Sequence, residues 1–91
     1  MDLEDLKNRL EVLTSEITAE NTGKYIDKLT AEILQYRSAG GLGEPLHEFF
    51  MNLCVLNEKD ENKDDVLGEI FCRLEGFCPE KDALFFDDIE L

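Results

Sequence analysis

The sequence predicts an all-α protein, an antiparallel four-helix bundle, on three observations. Apolar residues recur at spacings of three and four in four separate stretches. Each stretch is bounded by residues that start or stop helices. The length, 91 residues, suits one domain (1–91) with a single core of three or four packed helices.

The first helix is predicted over residues 3–19, where Leu3, Leu6, Leu10, Leu13 and Ile17 form one stripe and Asp2 is a suitable N-cap. Glu4, Lys7, Glu11 and Glu16 lie off that stripe and make a solvated face with weak local ion pairs. Asn21 and Gly23 tolerate the left-handed conformation that ends a helix, and Thr22 can cap the next. A second helix over 23–38 carries Tyr25, Ile26, Leu29, Ile33, Leu34 and Tyr36, a stripe broad enough to touch two neighbours, so it belongs at the centre.

Residues 39–43 hold three glycines and break the helical pattern, since each glycine costs about 1 kcal/mol relative to alanine inside a helix. Pro45 suits a first helical turn, and Leu46, Phe49, Phe50, Leu53, Cys54 and Leu56 give a third helix, over 45–56, a wide apolar face. Residues 57–63 contain nothing apolar and read as an exposed, mobile connection. Asp64 can cap a fourth helix over 64–75, with Val66, Leu67, Ile70, Phe71 and Leu74 on one side and Gly76 and Pro79 as stop signals. The acidic tail, residues 80–91, has no clear period and is left unassigned among short helix, docked strand and loose arm. Short links favour helices that pack beside their neighbours in the chain.

Charge narrows the function. With 22 Asp and Glu against 9 Lys and Arg, the net charge is −13, which argues against nucleic acid or an anionic membrane as a direct ligand, because both need a basic surface. A cationic partner is the sharper expectation. No stretch is apolar enough to span a membrane, the first residues are acidic where a signal peptide is basic, and Cys54, Cys72 and Cys78 show no framework spacing; these features predict a cytoplasmic protein with free thiols.

The chemistry-bearing residues form no catalytic, metal or cofactor motif, and the chain is read as a non-enzyme. His47, the only histidine, has no nucleophile signature around it. His47, Cys54, Cys72 and Cys78 have the donor types zinc favours but lack a Cys-x-x-Cys pair. A calcium loop beginning at Asp60 would have Asp65 where glycine must turn and Phe71 where glutamate must close it. The glycine run before Glu44 lacks the preceding strand and following Lys-Ser/Thr of a phosphate loop.

The acidity has a location. Residues 1–43 hold 8 acids and 5 bases, a net of −3; residues 44–91 hold 14 acids and 4 bases, a net of −10. It gathers in Glu58, Asp60, Glu61, Asp64, Asp65 and Glu69, and again in Asp82, Asp87, Asp88 and Glu90 around Phe85 and Phe86. Candidate partner-binding residues are therefore Asp60, Glu61, Asp64, Asp65, Glu69, Phe85, Phe86, Asp87, Asp88 and Glu90, carboxylates beside aromatic anchors. Phe85 and Phe86 are also candidates to close the bundle. Gly68 and Cys72, small residues four apart, let a backbone approach closely, either inside the bundle or from a partner.

In general character, over the whole chain and on residues 57–69 and 84–91 above all, the sequence resembles the small immunity proteins that bacteria make beside colicin-type or contact-dependent inhibition toxins. It departs from the DNase-colicin immunity proteins in lacking their Tyr-Tyr pair on a short helix, so none of their binding residues carries over. The resemblance implies a protein that binds a cognate basic nuclease toxin, of ribonuclease type, and blocks its active-site groove with carboxylates. A nucleic-acid mimic that inhibits a DNA-binding protein and a helical adaptor subunit are the alternatives.

Overall fold

A computed structural model describes residues 2–75, which form four α-helices: α1 (Leu3–Ser15), α2 (Thr22–Ser38), α3 (Gly43–Leu56) and α4 (Glu61–Glu75). The fold is all-α, with no strand among the described residues. The stop signals at Gly76 and Pro79, the third cysteine Cys78 and the acidic tail lie outside them.

Three of the four helices start earlier than their apolar stripes suggest, and one ends sooner. At α1 the Asp2 carboxylate accepts the Asp5 backbone N–H at 2.8 Å, the expected cap. The helix nevertheless ends at Ser15 rather than 19. The Asn21 side chain takes over there, accepting the Thr18 N–H at 2.7 Å and donating to the Glu16 carbonyl at 3.0 Å. Ile17 stays buried within this turn, so the apolar spacing outlasts the helix that it appeared to continue. Because the Asn21 amide is engaged backwards, it gives α2 no side-chain cap, and Thr22, expected as the cap, is already helical.

At the other end of α2 the chain turns on Gly40, whose φ is +88°. The Gly40 N–H reaches the Arg37 carbonyl and the Gly41 N–H the Tyr36 carbonyl, each at 3.0 Å, the paired bonds of a Schellman stop. The Tyr36 ring packs where a Cβ on Gly41 would stand, and its hydroxyl donates to the Leu42 carbonyl at 2.8 Å. These contacts fix the approach to α3, which begins at Gly43, so Pro45 falls within a first turn that needs no N–H from it.

The start of α4 corrects a second expectation. Asp60, not Asp64, is the cap: its carboxylate accepts the Lys63 N–H at 3.1 Å, and its carbonyl accepts the Asp64 N–H at 2.8 Å. The supposed connection over 57–63 is therefore only residues 57–60, and Glu61, Asn62 and Lys63 are the first turn of α4.

Burial sets the arrangement. Leu6, Leu10, Leu29, Ile33, Leu46, Phe50, Val66, Leu67 and Ile70 are fully enclosed, with every helix contributing. Most packing lies between α2 and α4, between α1 and α2, and between α3 and α4, while α1 and α3 meet lightly. Chain neighbours pack together in two of three cases. The exception is α2 with α3, because the second apolar flank of α2 is covered by α4. Buried Thr14 is satisfied by donating to the Leu10 carbonyl at 2.6 Å. Arg9 spans to Glu32 at 3.2 Å between α1 and α2, and Arg73 to Thr30 at 3.3 Å between α4 and α2. Leu56, expected on the apolar face of α3, is instead 81% exposed.

Two adjacent glycines give separable predictions. Gly40→Ala should lower stability by about 1 kcal/mol, through the left-handed backbone alone. Gly41→Ala should lower it by about 1–3 kcal/mol, because the new methyl displaces the Tyr36 ring. Urea unfolding of the two variants checks both the direction and the order.

Candidate functional site: an acidic face on α4

Helical geometry explains how α4 can be both core and charged surface. Val66, Leu67, Ile70 and Leu74 turn inward. On the opposite side Glu61, Asp65 and Glu69 follow one another at intervals of four, a single ridge rising about 6 Å per step. Asp64 lies off the ridge towards α3, and Asp60 precedes the helix. All five carboxylates are exposed, so the structure brings these sequence-derived candidates together at one end and along one face of α4.

Few cations neutralise them. Lys63 stands 3.9 Å from Asp60, and Arg73 stands 3.5 Å from Glu69. Glu61, Asp64 and Asp65 make no ion pair among the described residues. Part of the placement has a local cause, because Glu61 and Asp64 lie in the first turn of α4, where the positive end of the helix dipole favours negative charge by about 0.3–1 kcal/mol each. That cause does not reach Asp65 and Glu69, which lie further along.

The other candidates divide. Phe85, Phe86, Asp87, Asp88 and Glu90 lie outside the described residues. Among the described residues nothing beyond the local turns of α4 lies within 4 Å of the position a Cβ on Gly68 would take, and Cys72 is exposed, so this pair mediates no close contact between the four helices.

Cys54 and His47 occupy the seam between α3 and α4. Burial, then the charges of Asp64 and Cys72, push the Cys54 thiol up to about 11, leaving it protonated and unreactive at neutral pH. The His47 ring meets the Phe71 ring edge-on at 4.9 Å, a packing contact. Among the described residues no three His, Cys, Asp or Glu side chains gather into a metal-holding group, and no helix is long and apolar enough to cross a membrane. A shallow hollow of about 240 Å³ between α1 and α2 is lined by Asn8, Arg9, Val12, Leu13 and Glu32, away from the acidic face.

The sequence reading missed one feature beside that face. Met51 and Val55 are 45% and 59% exposed on the flank of α3 next to α4. The signal was present: α3 carries apolar residues around most of its circumference, more than one buried stripe can use.

Two measurements follow. Gly68→Ala should raise stability by about 0.5–1 kcal/mol, since the methyl enters open space within a helix. For Cys54, a raised pKa means that the folded state holds its proton more tightly, so the contribution is complete below pH 9 and declines as pH rises through about 11. Comparing stability with Cys54→Ala from pH 8 upward should show the difference between the proteins shrinking across that window.

Compared with protein-family models, curated proteins and solved structures, the chain matches none.

Proposed function

We propose that this chain is an immunity-type inhibitor that acts in the cytoplasm, binds a basic nuclease toxin of ribonuclease type, and covers its active-site groove with carboxylates. The observation that carries the reading is the exposed group Asp60, Glu61, Asp64, Asp65 and Glu69, of which, among the described residues, two have a cation beside them. A nuclease groove presents Lys and Arg to hold phosphates, and an array of fixed carboxylates satisfies the same cations. Inhibition then needs no chemistry from the inhibitor, and the reading assigns no catalytic residue.

The ridge also limits what is bound. Glu61, Asp65 and Glu69 span about 12 Å, the reach of a single groove and short for imitation of an extended duplex. This favours the nuclease inhibitor over the nucleic-acid mimic. Opposite net charge steers the encounter, so association should approach about 10⁸ M⁻¹s⁻¹ at low salt and fall steeply as salt rises.

The test is the variant Asp60→Asn, Glu61→Gln, Asp64→Asn, Asp65→Asn, Glu69→Gln, assayed against a basic ribonuclease domain encoded beside this chain. At about 0.5 kcal/mol per exposed pair, affinity should fall on the order of 10²-fold at low salt, with a flatter salt dependence and loss of nuclease inhibition. Circular dichroism must show helicity retained, because three of the changes, at the cap Asp60 and at Glu61 and Asp64, remove charge from the start of α4. Unchanged affinity and an unchanged salt slope would sink the reading.

A further inference from the structure

The seam between α3 and α4 has a solvent side that the core does not use. Two observations define it: the His47 ring meets Phe71 at 4.9 Å, and the short link of residues 57–60 holds the end of α3 close to the start of α4. Early α3 thus faces late α4 and late α3 faces early α4, so these two helices run in opposite senses. On α3, Met51 is four residues after His47 and three before Cys54, and therefore neighbours both on the helix surface. On α4, Gly68 is four residues after Asp64 and three before Phe71. Met51 and Gly68 accordingly lie at the same level on opposite sides of one seam.

What they form there is a notch. On the Gly68 side, no described residue outside the surrounding turns of α4 lies within 4 Å of a Cβ position. Across it, Met51 and, one turn on, Val55 make an exposed apolar strip, while Cys54 and Phe71 are half-buried between the helices. Glu48 stands at the outer edge of the α3 strip, and Glu61, Asp64 and Asp65 stand along α4, all exposed.

We propose that this notch seats an amphipathic cationic helix of the partner protein. The proposal rests on the acidic-face reading and adds an apolar contact to it. An apolar strip within carboxylate edges is complementary to a helix whose apolar stripe is flanked by Lys and Arg. The missing side chain at Gly68 lets a second backbone come close, and the unbranched Met51 adapts to the side chains above it. Charge disfavours the other occupants. A second copy brings another net −13 against the same carboxylates, and residues 80–91 of this chain bring five acids and one lysine.

The probe is a synthetic Leu/Lys peptide of about 18 residues, roughly five helical turns, patterned as an amphipathic helix, against a scrambled peptide of identical composition. Both are titrated into the full chain at low and high salt, with Gly68→Leu and Met51→Ser as variants. Both changes are at open positions, and circular dichroism confirms the fold.

The amphipathic peptide should bind about tenfold or more tighter than its scramble, the gain expected from burying the Met51 and Val55 side chains. Its contact shifts should centre on Met51, Val55 and Gly68, and either variant should remove most of the advantage. Equal binding of the two peptides, sensitive to salt, overturns the notch and leaves the acidic face standing. No binding of either peptide at low salt overturns both. A concentration-dependent dimer abolished by Met51→Ser, or nuclear Overhauser contacts from the Met51 methyl to Phe85 or Phe86, assigns the strip to another occupant and overturns the proposal.

Discussion

The arrangement depends on α2 having two apolar flanks. Tyr25, Leu29, Ile33 and Tyr36 are all buried, and Ile26 and Leu34 add half-buried area beside them. One flank receives α1 and the other α4, and α3 is then carried on α4. Without the second flank, α4 would lose its most extensive packing surface for Val66, Leu67, Ile70 and Leu74, and with it what fixes the direction of its acidic ridge. The orientation of the charged face is thus a consequence of packing on its reverse side.

Charge imposes the opposing demand. A net of −13 on a chain this small opposes compaction, and the excess falls on the half that contains α3 and α4. The fold relieves part of this by setting Glu61 and Asp64 at the positive end of the α4 dipole, and by placing Lys63 and Arg73 beside Asp60 and Glu69. Exposure and solvent screening moderate the remainder. Asp65 lies beyond the helix start and, among the described residues, has no cation beside it, so it is the part of the ridge that local stability explains least.

The third helix shows how a bundle of this size ends with surplus apolar surface. Leu46, Phe50 and Leu53 fill the inward side of α3, and Phe49 lies half-buried towards α1, with the Lys7 ammonium 5.5 Å above its ring. Met51, Val55 and Leu56 remain, and α2, which could have covered another face, is occupied by α4. Apolar side chains beside carboxylates make a surface with two kinds of affinity, electrostatic for encounter and hydrophobic for retention.

By itself the sequence determined the helices, their number, their buried stripes and the concentration of acid at the start of the fourth. These are local properties: periodicity, caps such as Asp2 and stops such as Gly40 act within a turn or two of chain. Only the tertiary structure decided which stripes meet. Spacing places Ile17 on the stripe of α1 but does not say that a turn, held by the Asn21 side chain, buries it. The apolar stripe points to Asp64 as the cap of α4, whereas the Lys63 and Asp64 N–H groups both turn back to Asp60, one turn earlier. Gly68 and Leu56 are the same kind of case, outward-facing because α4 lies against α2 and not elsewhere. A stripe records that a face is apolar, whereas its partner depends on every other stripe competing for the same area.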